Sequence, residues 1–430
     1  MKILTRYRQF RDTNPSAINY GIDGIMVAGA MAIAMSNNNR FASRLGATSA
    51  ELSMLHFLPS LIGMILLIPA GLFTDSLKDK RRMISAMLLA AGSFYAIVSL
   101  SAFVSNVWFF LIFVALAVIS INGMYNLAWQ GFFPESVPED KRNDVLTFRA
   151  RMTMFVSLIV PVTIGVVLTF VVPTEAGRII THQIFYVLAA VMLFANYFHF
   201  KKIKAINPNP PKKIAVDEML TSAKRILTNK HFLFFTLTVL FFHMTWQLDW
   251  TLYFVGQETY LEMNDLMLNL TPVVGVIGQL LTVKYWSRKN TKWGVDRPLT
   301  LGILGLSINP VAMIVGLSLP APFGIYAFLF LHFVATLTFS IIILNVFQSL
   351  LKVADTENRS LSISIYTCLI MASNAVMPRA GVWIYETLGG HMYALRITFV
   401  IAFFLRILAA GLWWVRVKHF EKTFEKNIAN

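Results

Sequence analysis

Apolar runs follow one another along almost the whole chain, separated by short polar breaks. Twelve can be delimited, at roughly residues 15–36, 50–73, 83–104, 107–131, 145–172, 179–200, 231–256, 265–286, 298–318, 323–350, 361–386 and 392–415. A bilayer core is crossed by about 20 apolar residues in a helix, and each run meets that length. Peptide groups in hydrocarbon must find their partners within the segment, so the pattern predicts twelve transmembrane helices and an all-α integral membrane protein. Gly and Pro interrupt several runs, which is tolerated where neighbouring helices repair the backbone.

The longest polar break, 201–230, divides the runs six and six. It sets off an expected N-terminal bundle (1–200), a linker (201–230) and a C-terminal bundle (231–430). The linker begins with an extended Pro-rich stretch, NPNPPKK. From Asp217 it places Met219, Leu220, Ala223, Ile226 and Leu227 on one helical face, with Lys224 and Arg225 opposite. That is the pattern of an amphipathic helix lying on a membrane surface. The halves also echo each other: Arg142 and Arg359, Pro161 and Pro378, and Pro59 and Pro272 fall at matching places, as in a duplicated six-helix unit.

Charge orients the spans. Twenty-nine of the 37 Lys and Arg fall in the N-terminus and the breaks on one side, among them Lys78, Lys80, Arg81, Arg82, Lys284 and Lys289. The other side has only Arg40, Arg44 and Arg178, and the remaining five lie within or at the edges of spans. The positive-inside rule then puts both termini in the cytoplasm, and twelve spans satisfy the even number this requires. The basic arm before Ala17 is expected to precede a retained first span rather than a cleaved signal, since later spans need it as a partner. Composition agrees: the 430 residues are 56% hydrophobic and 14% charged, with a mean hydropathy of +0.62. The net charge of +15 resides in short loops rather than in a basic module, so nucleic acid is not an expected partner. A single cysteine, Cys368, allows no internal disulfide, in keeping with a bacterial plasma membrane.

Ionisable groups within spans are costly, which makes them candidates for function. Asp23 lies in the first run, with Asn19 a turn before it and Tyr20 beside it. It reads either as a proton-coupling or solute-contacting acid or as a structural, hydrogen-bonded one. Asp249 lies in the seventh run within HMTWQLDWTLY, beside Trp246, Gln247 and Trp250. Aromatic faces beside one acid suit an organic cation or an aromatic solute, and equally an interfacial belt. Asn122, Asn126, Trp129 and Gln130 share one face of the fourth run, and a polar stripe there lines a cavity or bonds another helix. His332, with Thr336 and Ser340, reads as a proton relay or as packing, and His56 likewise. Arg379, just after Pro378, sits deep enough to meet an anion or an acid such as Asp23. Arg149 and Arg151 lie near a span end, where snorkelling is the plain explanation and a functional role the alternative. The chain has no P-loop, no H-E-x-x-H, no G-x-S-x-G and no Cys/His cluster with metal spacing. No ATP drive, metal, cofactor or enzyme activity is therefore expected.

One break carries more. Residues 71–82 read GLFTDSLKDKRR: a glycine suited to close helix approach, an acid at a helix end, then four basic residues in a turn too charged to lie in hydrocarbon. This resembles the signature loop after the second helix of major facilitator superfamily transporters. The resemblance implies two six-helix bundles around a central cavity, alternating access, and a switch formed by Gly71, Asp75, Lys80, Arg81 and Arg82. In that switch Asp75 would latch one half to the other. The second-half counterpart, KYWSRKNTKW, keeps the basic residues and lacks the acid. The proton-coupled drug exporters of the superfamily carry an arginine where this chain has Ile119, and a glycine-rich run of which only Pro161 and Gly165 remain, so the resemblance stops short of them. The expected function is secondary active transport of a small organic solute by a monomer in the plasma membrane, coupled to protons or another ion. Efflux of amphipathic compounds is the alternative within the class, and an intramembrane lipid-modifying enzyme the alternative outside it.

Overall fold

The computed structural model describes residues 15–104, 106–206, 216–355 and 359–429, and all regular structure among them is helical. Among the described residues, twelve helices are long and apolar enough to cross a membrane. Spans 1–6 are Ser16–Arg44, Ser49–Gly71, Arg81–Phe103, Val107–Ser136, Glu139–Val171 and Glu175–Phe200. Spans 7–12 are Lys230–Tyr260, Asp265–Asn290, Asp296–Ser318, Phe323–Val353, Leu361–Thr387 and Met392–His419. They fall on the twelve apolar runs and mostly outreach them, because a helix continues through polar residues once its nucleus is formed. Side-chain caps set several starts: Asn106, Thr174, Asn229 and Asn264 each accept a hydrogen bond from a backbone N–H of the first turn. The basic arm with Lys2, Arg6, Arg8 and Arg11 and the Pro-rich linker segment lie outside the described residues.

The chain forms two compact units. One comprises Met1–Thr48 and Ile65–Ile214, the other Ser49–Met64 and Ala215–Asn430. Span 2 is thus divided, a feature that its unbroken apolar run does not reveal. In the first unit, span 1 packs on spans 5 and 6, and span 3 on spans 4 and 6. In the second, span 7 packs on spans 11 and 12, and span 9 on spans 10 and 12. The linker helix, Val216–Thr228, belongs to the second unit. It buries Ile226 beside Phe232, Leu350 and Val353 and pairs Arg225 with Asp355 at 3.0 Å. Leu220 and Leu227 stay exposed, so its apolar face is shared between protein and surroundings.

Several spans are irregular, and the irregularities position the polar groups. Span 4 contains a π-turn at Ser120–Tyr125, which inserts a residue and re-phases the face beyond it. Span 7 breaks between Gln247 and Trp250, span 9 at Ser307, and span 10 between Thr336 and Phe339. At the span 7 break span 11 comes so close that a Cβ on Gly381 would run into the Leu248 carbonyl oxygen. Gly71 departs from expectation: among the described residues a Cβ there would meet Leu127 Cδ1 at 3.7 Å, an ordinary contact rather than a tight crossing.

Candidate functional site

Asp23 in span 1 is fully buried and is the acceptor of a four-donor cluster. The Tyr125 hydroxyl donates to Oδ1 at 2.6 Å and Asn196 Nδ2 to the same oxygen at 2.9 Å. Trp129 Nε1 donates to Oδ2 at 3.2 Å and Arg149 Nε at 3.3 Å. Spans 4, 5 and 6 thus converge on one carboxylate of span 1. The Arg149 guanidinium also lies over the Trp129 ring, 4.3 Å from its centroid. Gly24 makes room for it, since a Cβ there would stand 2.8 Å from Arg149 Cγ. Tyr20 closes the neighbourhood, hydrogen-bonded to Ser136 and edge-on to Trp129 and Phe133. Snorkelling therefore does not account for Arg149, which turns inward to the acid. Within the second unit the Arg379 guanidinium lies 3.5 Å from Met54 Sδ. Asn19 presents its main-chain carbonyl to His199 at 3.1 Å and does not reach the carboxylate with its side chain.

The second unit holds a counterpart. Asp249 sits in the break of span 7, and Arg406 of span 12 places Nη2 at 2.6 and 2.7 Å from its two oxygens. Both side chains are 0% exposed. The same guanidinium donates to the carbonyls of Trp246 (3.2 Å) and Leu306 (2.8 Å), with Thr245 at 3.5 Å. These carbonyls end helical segments at the breaks of spans 7 and 9, where helix hydrogen bonding stops. One arginine thus neutralises the acid and caps two interrupted helices, the repair that broken backbone in a membrane requires.

The 77–82 turn is more closely built than its charge suggested. Lys80 is buried and paired with Glu135 at the end of span 4. Asp79 accepts from Arg81 Nη2 at 2.8 Å and from its Nε at 2.9 and 3.1 Å. This guanidinium holds the Asp79 carboxyl below its ordinary value, and Arg81 also reaches the Ile203 carbonyl at 3.2 Å. Arg82 is exposed. The Asp75 side chain, the expected latch, lies outside the described residues.

The sequence matches the family model described as the Major Facilitator Superfamily over residues 16–355. The chain belongs to the major facilitator superfamily. Among solved structures it is similar to the nucleoside transporter NupG, with 11% identity over 94% of this chain and 99% of that one, and a TM-score of 0.66. A bacterial homologue of the human lysosomal transporter Spinster gives 12% identity, 95% and 96% coverage and 0.66. A D-xylose–proton symporter gives 13%, 93% and 96%, and 0.67. No curated protein matches the chain by sequence. This superfamily member is a multi-pass membrane transporter and not an enzyme.

The remaining candidates of the transporter separate. The expected stripe of span 4 does not stay together: Trp129 is buried on Asp23, whereas Asn122 and Gln130 are exposed and Asn126 is half-buried. Trp246 lies edge-on to Trp250 (5.3 Å), beside Phe339 (5.3 Å) and stacked on Phe242, and His56 approaches Trp250 at 5.5 Å. Gln247 is buried and accepts from Ser373 at 2.6 Å. His332 bonds Asn309 at 3.0 Å and stacks on Phe328. Thr336 bonds its own helix at the Phe333 carbonyl, and Ser340 bonds Thr282, so the expected polar stripe of span 10 is not one continuous row. Sequence reasoning missed Arg406, Asn196 and Glu135 as partners. The available signal was that two intramembrane acids demand cations, and spacing alone does not choose among five arginines.

Proposed function

We propose that this transporter moves a small organic solute by alternating access, coupled to protons through the Asp23–Arg149 pair. One observation supports the pair: Asp23 is fully buried, while the Arg149 side chain is 20% exposed. Four donors, one of them a guanidinium, converge on the carboxylate in this arrangement. Release of Arg149 would leave a buried, unpaired charge, which protonation relieves. Proton binding and arginine release are thereby linked, and a solute that engages Arg149 would share in the exchange. Asp249 and His332, the other coupling candidates, are less suited: the first is locked by Arg406 and the second has a neutral partner in Asn309.

The half-buried Trp246, Trp250 and Phe339 present ring surfaces that favour a solute with a planar apolar part, and they support efflux of amphipathic compounds as the second reading. The loop charges support cytoplasmic termini in a bacterial plasma membrane, and no feature calls for more than a monomer. The test is flux into proteoliposomes under an imposed pH gradient. A solute panel would begin with nucleosides and D-xylose, which related transporters carry by name, and with aromatic amines. Asp23→Asn is expected to abolish accumulation against a gradient. Undiminished accumulation by that variant would remove Asp23 from the coupling role.

A further inference from the structure

A cavity of about 570 Å³ opens between the first turn of span 3 and the end of span 6, apart from both Asp–Arg pairs. Its polar wall holds Arg81, Arg82, Ser85 and Lys201, with Asp79 as its one acid. Asp79 is already engaged by Arg81. Lys201 lies over the Tyr197 ring at 3.9 Å and bonds its hydroxyl, a neutral partner. Arg82 forms no ion pair among the described residues. Three cations against one acid leave the recess with an excess of positive charge. Its other wall is Ala86 and Leu89, and Leu89 is exposed; just outside the recess Phe198, edge-on to Tyr197, is exposed as well.

The depth of these groups matters. Arg81 and Arg82 are the first residues of span 3, and Lys201 directly follows span 6. Cations in excess and a hydroxyl thus stand at the level of lipid headgroups, and exposed apolar side chains continue from them along the spans. A soluble anion would need only the cations. The adjoining apolar strip matches a ligand whose phosphate is joined to acyl chains, and basic recesses between spans attract such headgroups.

We propose that this recess is a binding site for an anionic glycerophospholipid of the leaflet facing the 77–80 turn. Arg82 and Lys201 hold the phosphate, Ser85 donates a hydrogen bond, and Leu89 and Phe198 flank the first acyl carbons. Because Arg81 and Lys80 tie this turn to Ile203 and Glu135, an occupied site would brace the junction of spans 3, 4 and 6.

Native mass spectrometry of the purified full chain tests this, with phosphatidylglycerol and phosphatidylcholine as probes. Phosphatidylglycerol is expected to form the more abundant adduct. Each cation at a membrane surface is worth about five-fold in affinity, so Arg82→Gln with Lys201→Gln is expected to weaken the adduct about 25-fold. Lys289→Gln with Lys292→Gln removes equal charge elsewhere and is expected to leave it unchanged. Thermal unfolding of both variants checks that each is folded. Equal binding of the two lipids, equal loss in the two double variants, or displacement of the lipid by excess inorganic phosphate would each overturn the assignment.

Discussion

Asp23 and Asp249 each lie in the first span of a six-span half, and each is buried against an arginine, yet the two pairs are built to different ends. Asp249 has a partner from span 12 with no exposed side-chain surface, and that partner also caps the carbonyls of two broken helices. Removing either member would strand a charge, and removing the arginine would also open two helix ends. Asp23 has a partner from span 5 that keeps part of its side chain exposed, and three neutral donors share the carboxylate. Those donors can hold the acid while the arginine leaves. A buried ion pair in a membrane is thus a fixture when the cation has other work in the fold, and a movable part when the acid has other support.

Arg406→Ala puts the greatest strain on this contrast. It leaves Asp249 buried and unpaired, and a loss of about 3–5 kcal/mol is expected, read as failed expression or a greatly lowered unfolding temperature in detergent. Next comes Gly381→Ala, whose Cβ collides with backbone at the span 7 break. Overpacking of this kind costs about 1–3 kcal/mol, whereas Gly71→Ala, whose Cβ would make an ordinary contact with Leu127, is expected to change the unfolding temperature little. Asp23→Asn preserves shape and an acceptor for Tyr125, so its cost is expected to be about 1–2 kcal/mol, the range for one charge-assisted bond made neutral. A larger loss than Arg406→Ala in the same assay would invert the comparison.

The smallest effect belongs to a surface pair outside both clusters. Arg81 lowers the Asp79 carboxyl, so its stabilising contribution is full above the ordinary carboxylate value and fades as pH falls through the lowered one. Asp79→Asn is expected to lower the unfolding temperature slightly at neutral pH and not at all at the acid end of a pH series. Both members are about one-third exposed, so the difference is modest.

The number and approximate places of the spans could be read from hydrophobicity, since the bilayer sets a minimum apolar length for each of them. The 77–82 turn was legible as a charged cap, and its resemblance to the superfamily loop led to the family. The pairing within it was not: Lys80 looked like a topology charge, and its partner Glu135 lies 55 residues away on another span. Asp23 and Asp249 were legible as costly groups, but Arg149 was assigned to the membrane surface because its position near a span end is equally typical of snorkelling. Arg406 fell inside an apolar run with no local polar neighbour. The helical wheel of span 4 did not sort its polar stripe, since Trp129 turns to Asp23 while the next residue, Gln130, and Asn122 within the π-turn stay exposed. Three-dimensional partners of this kind are set by helix packing, which periodicity within one span does not encode.

The most direct test of the division of labour compares Asp23→Asn and Asp249→Asn in one preparation, reading thermal unfolding in detergent and pH-gradient-driven solute accumulation in proteoliposomes. The account predicts that Asp23→Asn unfolds near the parent's temperature and no longer accumulates solute, while Asp249→Asn unfolds well below it. An Asp23→Asn protein that accumulates solute as the parent does, or an Asp249→Asn protein of parental stability, would contradict it.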